Sequence, residues 1–420
     1  MRSLFFFILF LLTVPLPGLG QGPENYRFMP ASLYSLSLPM EFSQNLMIIP
    51  VRVNQGETMR FVLDTGINNT IITELAGTDT VSLKFAREIS VAGLGDGLPL
   101  EGWFSAGNRI VIPASEDGEE NLICDSSNIF VLTTDHFQLT RQLGVRVNGL
   151  IGSGLFNQFL VKIDPETRII TLFDRDKVNL KRLTRSFQRI PLIISNGKAY
   201  ADVILTQEDG SEITVRLLID TGASLSFWIS PEADSLISVP SKTIRSFLGQ
   251  GLNGEISGSI GRINQARLGS FSFKKPLVSY PDQESLGGIM LGRSRHGSMG
   301  NDILRRFTVI MDYPDRSLYL KPNRFFGAPF TYNRSGMEVE KPIPTFPIYS
   351  VYSVIEGSPA DLAGVREGDV IEYVNYTPVL SLTLDDINNI LHGEEGKTVT
   401  LKISRNGESF RLKINLDVRF

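Results

Sequence analysis

Two stretches of sequence decide the fold: Arg60-Phe61-Val62-Leu63-Asp64-Thr65-Gly66 and Arg216-Leu217-Leu218-Ile219-Asp220-Thr221-Gly222. Each is an apolar run that ends in Asp-Thr-Gly, and the two stretches lie 156 residues apart. An apolar, β-branched run bounded by turn-forming residues predicts a strand. A strand would hold each aspartate rigidly, and the glycine would permit a close approach of the backbone.

A second pair of segments repeats along the chain. Residues 151–172 align without gaps with residues 299–320, with Phe159 over Phe307. Glycine-rich stretches, 92–97 and 248–254, lie between these anchors in each half. Ordered matches at similar separations indicate a duplicated domain. We therefore expect one lobe at residues 21–175 and a second at residues 190–322.

The repeated aspartates have a chemical use. If the two loops face each other, Asp64 and Asp220 come within roughly 3 Å, where both cannot easily ionise, so one proton is shared. Such a pair titrates as a unit. It can activate a water as general base and protonate a departing amine as general acid. The hydroxyls of Thr65 and Thr221 can bond to the opposite backbone across a two-fold axis.

Residues 45–320 resemble the aspartic peptidases of the pepsin and retropepsin type. The resemblance implies a mostly β fold, a bilobal pair of acid-protease β-barrels, with Asp64 and Asp220 as catalytic residues. It also implies hydrolysis of peptide bonds in a polypeptide substrate. In this family a hydrophobic-hydrophobic-Gly stretch underlies each catalytic loop. Leu150-Ile151-Gly152 matches that stretch well, and Ser298-Met299-Gly300 matches it less well.

The resemblance assigns further residues by position. The active-site loops are expected to be shaped by Thr65, Gly66, Thr221 and Gly222. Flaps over the substrate, one per lobe, are expected at Gly93 and Gly95 and at Gly249 and Gly251.

One departure from the family bears on pH. Pepsin-like enzymes commonly have a serine after the first Asp-Thr-Gly, whereas here Ile67 and Ala223 follow the two motifs. Losing a hydrogen bond to the charged form raises the pKa of a carboxyl group. We therefore expect an activity optimum at weakly acidic to neutral pH.

Residues 336–420 resemble a PDZ domain. The resemblance rests on three motifs: Gly357-Ser358-Pro359-Ala360, Ala363-Gly364-Val365 and Gly368-Asp369-Val370-Ile371. PDZ domains add a peptide as an extra strand and capture its C-terminal carboxylate. By position, peptide binding is expected at Ile348, Tyr349 and Ser350, although no glycine stands there. The alternative is that this unit only packs on the protease lobes.

Composition excludes several classes of protein. A chain of 420 residues holds two or three domains, and 42% hydrophobic with 20% charged residues indicates ordered cores. A net charge of -4 argues against nucleic-acid binding. One cysteine, Cys124, excludes an intrachain disulfide framework, and three scattered histidines disfavour a metal site. We expect neither a metal nor a cofactor.

Residues 1–20 have the pattern of a secretory signal peptide. Arg2 precedes an apolar run at residues 4–14, and small residues end the segment at Gly18 and Gly20. Cleavage before Gln21 would fit. The competing interpretation is an uncleaved membrane anchor. For this nearly cysteine-free chain we expect export to a bacterial periplasm or cell envelope.

The sequence therefore predicts an exported aspartic endopeptidase with a C-terminal PDZ domain for peptide recruitment or regulation. One alternative is a non-catalytic periplasmic peptide-binding or scaffold protein that retains the fold. Another is an obligate dimer in which equivalent lobes pair between chains, which the internal duplication makes unnecessary.

Overall fold

The fold is mostly β, as expected. The computed structural model describes residues 24–75, 81–91, 100–115, 117–133, 137–251, 254–286 and 295–417. The predicted signal peptide (1–20), Gly93 and Gly95 lie outside these residues. Within the described ranges, no helix has the length and apolar character needed to cross a membrane.

The first half of the chain builds a nine-stranded sheet and three further strands. The sheet has the order β1-β9-β6-β10-β5-β4-β8-β7, with β3 paired to β4. A short helix, α1 (Leu139–Leu143), precedes β10. The strands are β1 (Tyr26–Met29), β2 (Ser35–Pro39), β3 (Glu41–Ser43), β4 (Leu46–Val53), β5 (Thr58–Leu63), β6 (Thr70–Ile72), β7 (Ala86–Val91), β8 (Leu100–Pro113), β9 (Asn121–Leu132), β10 (Gly149–Ile151), β11 (Leu160–Asp164) and β12 (Ile169–Phe173).

The second half repeats this plan in a ten-stranded sheet. Its order is β18-β19-β22-β17-β23-β16-β15-β20-β21, with β14 paired to β15. Two short helices are α2 (Leu180–Leu183) and α3 (Asn301–Leu304). The strands are β13 (Gln188–Pro191), β14 (Ile193–Ser195), β15 (Lys198–Thr206), β16 (Glu212–Ile219), β17 (Phe227–Ile229), β18 (Thr243–Gly251), β19 (Gly254–Arg262), β20 (Gln265–Leu268), β21 (Phe271–Lys274), β22 (Leu277–Pro281), β23 (Gly297–Met299), β24 (Phe307–Asp312) and β25 (Ser317–Pro322).

The same local topology recurs around each Asp-Thr-Gly. In the first half, β10 runs parallel to β5 and antiparallel to β6. In the second half, β23 runs parallel to β16 and antiparallel to β17. The duplication inferred from the sequence is therefore present in the strand connections.

A third sheet joins the two halves. Its order is β13-β25-β24-β11-β12-β2, and its centre is the antiparallel pair of β11 and β24, with Ile163 opposite Val309. One hydrophobic core of buried side chains runs through both halves. Because this sheet and core are continuous, a single chain brings both Asp-Thr-Gly loops together.

The C-terminal unit has its own sheet and core. The sheet order is β26-β27-β28-β30-β31, with β29 paired to β28, and the helices are α4 (Pro359–Leu362) and α5 (Leu384–Leu391). Thr383 and Asp386 form a capping box at the start of α5. The strands are β26 (Met337–Glu340), β27 (Tyr349–Val354), β28 (Val370–Val374), β29 (Thr377–Pro378), β30 (Thr398–Arg405) and β31 (Glu408–Asn415).

Candidate active site

The two aspartates stand at the ends of equivalent strands. Asp64 follows β5 and Asp220 follows β16. The backbone N–H of Asp64 donates to the carbonyl of Ile151 at 2.9 Å, and that of Asp220 donates to the carbonyl of Met299 at 3.0 Å. Each loop therefore leaves its strand in the same direction, fixed by the neighbouring parallel strand.

Reciprocal hydrogen bonds between the threonines tie the loops together. The N–H of Thr65 donates to Thr221 Oγ1, and the N–H of Thr221 donates to Thr65 Oγ1, both at 3.0 Å. Thr65 Oγ1 also donates to the carbonyl of Ile219 at 2.7 Å, and Thr221 Oγ1 donates to that of Leu63 at 2.8 Å. The structure thus gives both threonines the crossing role expected from the sequence.

The carboxylates of Asp64 and Asp220 meet between these loops. Both residues are fully buried. A Cβ placed on Gly66 would lie 2.9 Å from Asp64 Oδ1 and 3.0 Å from Asp220 Oδ1. Both oxygens are therefore within 3.0 Å of one point, which places the two carboxylates side by side.

The glycines make this approach possible. A Cβ on Gly222 would lie 2.2 Å from Asp64 Cγ, which is shorter than any nonbonded contact allows. The N–H of Gly66 donates to Asp64 Oδ1 at 2.6 Å, and that of Gly222 donates to Asp220 Oδ1 at 3.1 Å. Gly222 thus leaves space for the Asp64 carboxylate and donates to Asp220, whereas Gly66 leaves space for both carboxylates and donates to Asp64.

Burial and mutual repulsion change the acidity of the pair. Burial, together with the charge of Asp220, raises the pKa of Asp64 well above its usual range. Burial also raises the pKa of Asp220. At each aspartate Lys198 and the N–H of the following glycine oppose the rise, and at Asp220 Arg295 and Ser298 oppose it as well. The arrangement can share one proton and transfer protons to and from a bound substrate.

Sequence analysis missed three polar residues beside the pair. Lys198 and Ser298 are buried, and Arg295 is half-buried. Lys198 interacts electrostatically with both aspartates, whereas Arg295 and Ser298 act on Asp220. The serine in the Ser298-Met299-Gly300 stretch was a visible signal. Lys198 and Arg295 carried no motif.

Ile67 and Ala223, which directly follow the two Asp-Thr-Gly motifs, are also buried, and neither side chain has a hydroxyl group. Behind the pair, Tyr313 is buried close to both aspartates, and this burial raises the pKa of its phenol.

The structure describes part of one predicted flap. Gly249 and Gly251 lie on β18, which pairs with β19 as a long hairpin, and the register shifts between Phe247 and Gly249. The residues of the other predicted flap, Gly93 and Gly95, fall outside the described residues. Residues 249–254 also fit the pattern GxGxxG of dinucleotide-binding loops, but that pattern needs a helix after it, and here β19 begins at Gly254.

The expected peptide-binding residues of the C-terminal unit are not at a free sheet edge. Ser350 on β27 pairs with Glu340 of β26 on one side and Val370 of β28 on the other. Tyr349 is buried, and Ile348 precedes the strand. A peptide strand cannot pair with Ser350, because both neighbouring strands are already present there. On the β27 side of this sheet the edge strand is β26.

The C-terminal end of β26 lies against the first lobe. The N–H of Lys341 donates to the carbonyl of Arg141 in α1 at 3.0 Å. The guanidinium of Arg141 forms an ion pair with Glu340 Oε1 at 2.7 Å. The backbone of Gly144 packs on Leu384 at the start of α5. The lobe therefore covers one end of the space between β26 and α5.

Comparison with known proteins agrees with these domains. Residues 206–302 match the family model described as aspartyl protease, and residues 350–405 match that of the PDZ domain. The chain is therefore similar to aspartyl proteases over part of its second half and to PDZ domains near its C-terminus.

Two curated relatives match over short segments. A probable CtpA-like serine protease of Staphylococcus epidermidis is 35% identical over 68 residues, 16% of this chain and 14% of the relative. The Staphylococcus aureus protein of the same name is 39% identical over 64 residues, 15% of this chain and 13% of the relative. The chain thus matches only a small part of those proteins. Among solved structures, an aspartic proteinase from Irpex lacteus has a TM-score of 0.43 and 14% identity, covering 70% of this chain and 99% of that one.

Proposed function

We propose that the chain is an aspartic endopeptidase that hydrolyses peptide bonds of extended polypeptides with a water activated by Asp64 and Asp220. The observation that carries the proposal is the meeting of the two buried carboxylates beneath reciprocal Thr65–Thr221 hydrogen bonds. Two aspartates at such a distance hold one proton in common, which leaves one base and one acid in the same site.

The reaction balances with these two groups alone. The ionised carboxylate takes a proton from water as the water oxygen bonds to the peptide carbon, while the protonated carboxyl gives its proton to the carbonyl oxygen. When the C–N bond breaks, the first carboxyl protonates the amine nitrogen, and the second recovers a proton from the diol. The pair returns to its starting state, and the products are an acid and an amine.

Separate substitutions test the proposal. Wild type, Asp64→Asn and Asp220→Asn are incubated with a denatured protein mixture, and new termini are identified by mass spectrometry. We expect internal cleavage by wild type and a loss of roughly 10³-fold or more in each variant. Asp125→Asn, which changes an exposed aspartate remote from the site, is the matched control and should cleave normally.

The second candidate is a peptide-binding or scaffold protein. It is favoured by the match of residues 350–405 to the PDZ domain, because PDZ domains bind peptides without cleaving them. Equal inertness of wild type and both asparagine variants, with peptide binding retained, would support this candidate and refute the enzyme.

We also propose that the PDZ domain recruits peptides, or regulates the peptidase, through β26. A peptide would pair with β26 as an added strand, and its C-terminal carboxylate would be bound. Titration of the full chain with labelled peptides, with free or amidated C-termini, tests this. A preference for the free carboxylate supports recruitment, and equal weak binding of both peptides argues against it.

Export is the remaining part of the proposal. Residues 1–20 are proposed to direct the chain to a bacterial periplasm or cell envelope and then to be removed. Expression in a bacterium with a periplasm, followed by fractionation and N-terminal sequencing, should give a periplasmic protein beginning at Gln21. A membrane-bound protein that keeps Met1 would show an anchor instead.

A further inference from the structure

The internal duplication permits a comparison of the two sides of the site. In lobe one, β4 pairs with β5 in a register that, extended to the loop, sets Leu46 opposite Asp64. In lobe two, β15 pairs with β16 in a register that sets Lys198 opposite Asp220. The equivalent positions thus hold an alkyl chain in one lobe and a cation in the other.

The strands beneath the loops differ in the same way. At the repeat offset of 148 residues, Val147 corresponds to Arg295 and Leu150 corresponds to Ser298. Val147 and Leu150 are buried in an apolar cluster that also contains Leu46. At three equivalent positions around the pair, lobe one is therefore apolar and lobe two is polar.

The lobe-two groups form a connected set. Arg295 Nη2 donates to Ser298 Oγ at 3.1 Å, and Arg295 Nε donates to the carbonyl of Gly297 at 3.3 Å. Because Ser298 Oγ accepts from Arg295, its own proton is available to the neighbouring Asp220 carboxylate. Ser298 directly precedes Met299, whose carbonyl accepts the Asp220 N–H, so the same short strand positions the loop and the hydroxyl.

The titratable groups around the pair come from several elements. Lys198 and Tyr200 lie on β15, Arg295 precedes β23, and Tyr313 follows β24. Burial lowers the pKa of Lys198 to about 8 and that of Arg295 to about 10, so both remain cationic below neutral pH. Burial raises the pKa of Tyr313, which stays neutral.

We propose that the aspartate pair of the free protein is polarised, with the shared proton on Asp64 and the negative charge on Asp220. Arg295 and Ser298 are positioning residues that fix this assignment by stabilising the charged form of Asp220, whereas Lys198 interacts with both carboxylates and does not select between them. The inference rests on the proposed function and deepens it: Asp220 is the base that takes the proton of water, and Asp64 is the acid that protonates the carbonyl oxygen.

The proton assignment can be measured without substrate. The carboxyl carbons of ¹³C-labelled aspartate are followed by NMR across pH, with signals assigned through Asp64→Asn and Asp220→Asn. We expect Asp64 to give the signal of a protonated carboxyl while Asp220 gives that of a carboxylate. The opposite order would overturn the proposal, whether or not the protein cleaves peptides.

Variants test the positioning residues. Arg295→Gln and Ser298→Ala each remove stabilisation of the charged form, so the titration of Asp220 and the acid limb of the pH–rate profile should rise by about one pH unit. Arg295→Lys should restore most of the shift. Val147→Ala, at the equivalent position of lobe one, makes a cavity without changing charge. It should shift neither the titration of Asp220 nor the acid limb of the pH–rate profile.

The outcomes separate this inference from the proposed function. If wild type cleaves but the acid limb is unchanged in both Arg295→Gln and Ser298→Ala, the positioning role is refuted and the peptidase stands. If wild type is inert while NMR places the proton on Asp64, the peptidase is refuted and the polarised pair stands.

Discussion

The backbone N–H of Thr65 donates to the hydroxyl of Thr221, and the N–H of Thr221 donates to the hydroxyl of Thr65, each over 3.0 Å. Each hydroxyl then donates to a carbonyl of the opposite lobe. Four buried hydrogen bonds thus link the two lobes directly beneath the aspartates, so the spacing of the carboxylates depends on these two side chains.

Removal of one hydroxyl should be costly. Thr65→Val keeps the shape of the side chain but leaves the Thr221 N–H and the Ile219 carbonyl buried without their partners. We expect the free energy of unfolding to fall by about 3 kcal/mol, since each orphaned buried group costs about 1–3 kcal/mol. Urea denaturation measures the loss. Thr65→Ser retains the hydroxyl and should recover most of it, and equal losses in the two variants would contradict the explanation.

Gly222 should not tolerate a side chain. In Gly222→Ala, the new Cβ would lie 2.2 Å from Asp64 Cγ, so the Asp64 carboxylate would have to move. Because small misplacements of reacting groups are costly, we expect kcat/KM to fall by about 100-fold or more. Gly327→Ala is the control, since its Cβ would have no neighbour within 4 Å. Full activity of Gly222→Ala would show that the loops are not packed as described.

Stability should depend on pH through the aspartates. Burial and the neighbouring charge raise the pKa of Asp64 above its unfolded value of 3.8, so the folded protein binds more protons than the unfolded chain between the two values. The free energy of unfolding therefore decreases as pH rises through that window. Asp64→Asn removes this ionisation, and its stability relative to wild type should increase from pH 4 upward.

Urea midpoints at several pH values, measured for wild type, Asp64→Asn and the exposed control Asp125→Asn, test this dependence. The wild type and Asp125→Asn should follow the same curve. A stability difference between wild type and Asp64→Asn that is constant with pH would contradict the raised pKa.

The contact between Arg141 and Glu340 should stabilise the attachment of the PDZ domain to lobe one. The Glu340 side chain is only 7% exposed, so Arg141→Ala leaves a largely buried carboxylate without its cation. Since Arg141 is itself 44% exposed, we expect a modest loss of about 1 kcal/mol, as is typical of pairs open to solvent. Adding Glu340→Gln removes the uncompensated charge and should recover part of it. A double-mutant cycle by urea denaturation checks this, and additive effects would show that the two residues are not coupled.

Local patterns predicted much of the secondary structure. The apolar runs that end at Leu63 and Ile219 form β5 and β16, as is typical of short apolar runs bounded by turns. The capping box at Thr383 began α5 because its hydrogen bonds are local. The turn at Asn406-Gly407 has positive φ at both residues, as its composition requires.

Pairing between distant strands was harder to infer. Peptide binding was expected at Ile348, Tyr349 and Ser350 from their position in the sequence, but that position did not reveal that β26 and β28 flank β27 on both sides. Sequence position along a strand does not reveal which strands flank it, since those neighbours are selected by the packing of the whole unit.

The sequence by itself determined the duplicated plan and the two aspartates, because a repeated motif behind a repeated strand is visible residue by residue. Only the tertiary structure decided the surroundings of each carboxylate. Lys198 and Arg295 are far from Asp220 along the chain and belong to no motif, yet strand pairing brings them beside it while Leu46 and Val147 occupy the equivalent positions near Asp64. The acidity of a buried carboxyl depends on charges within a few ångströms in space, and those distances exist only once the strands have paired.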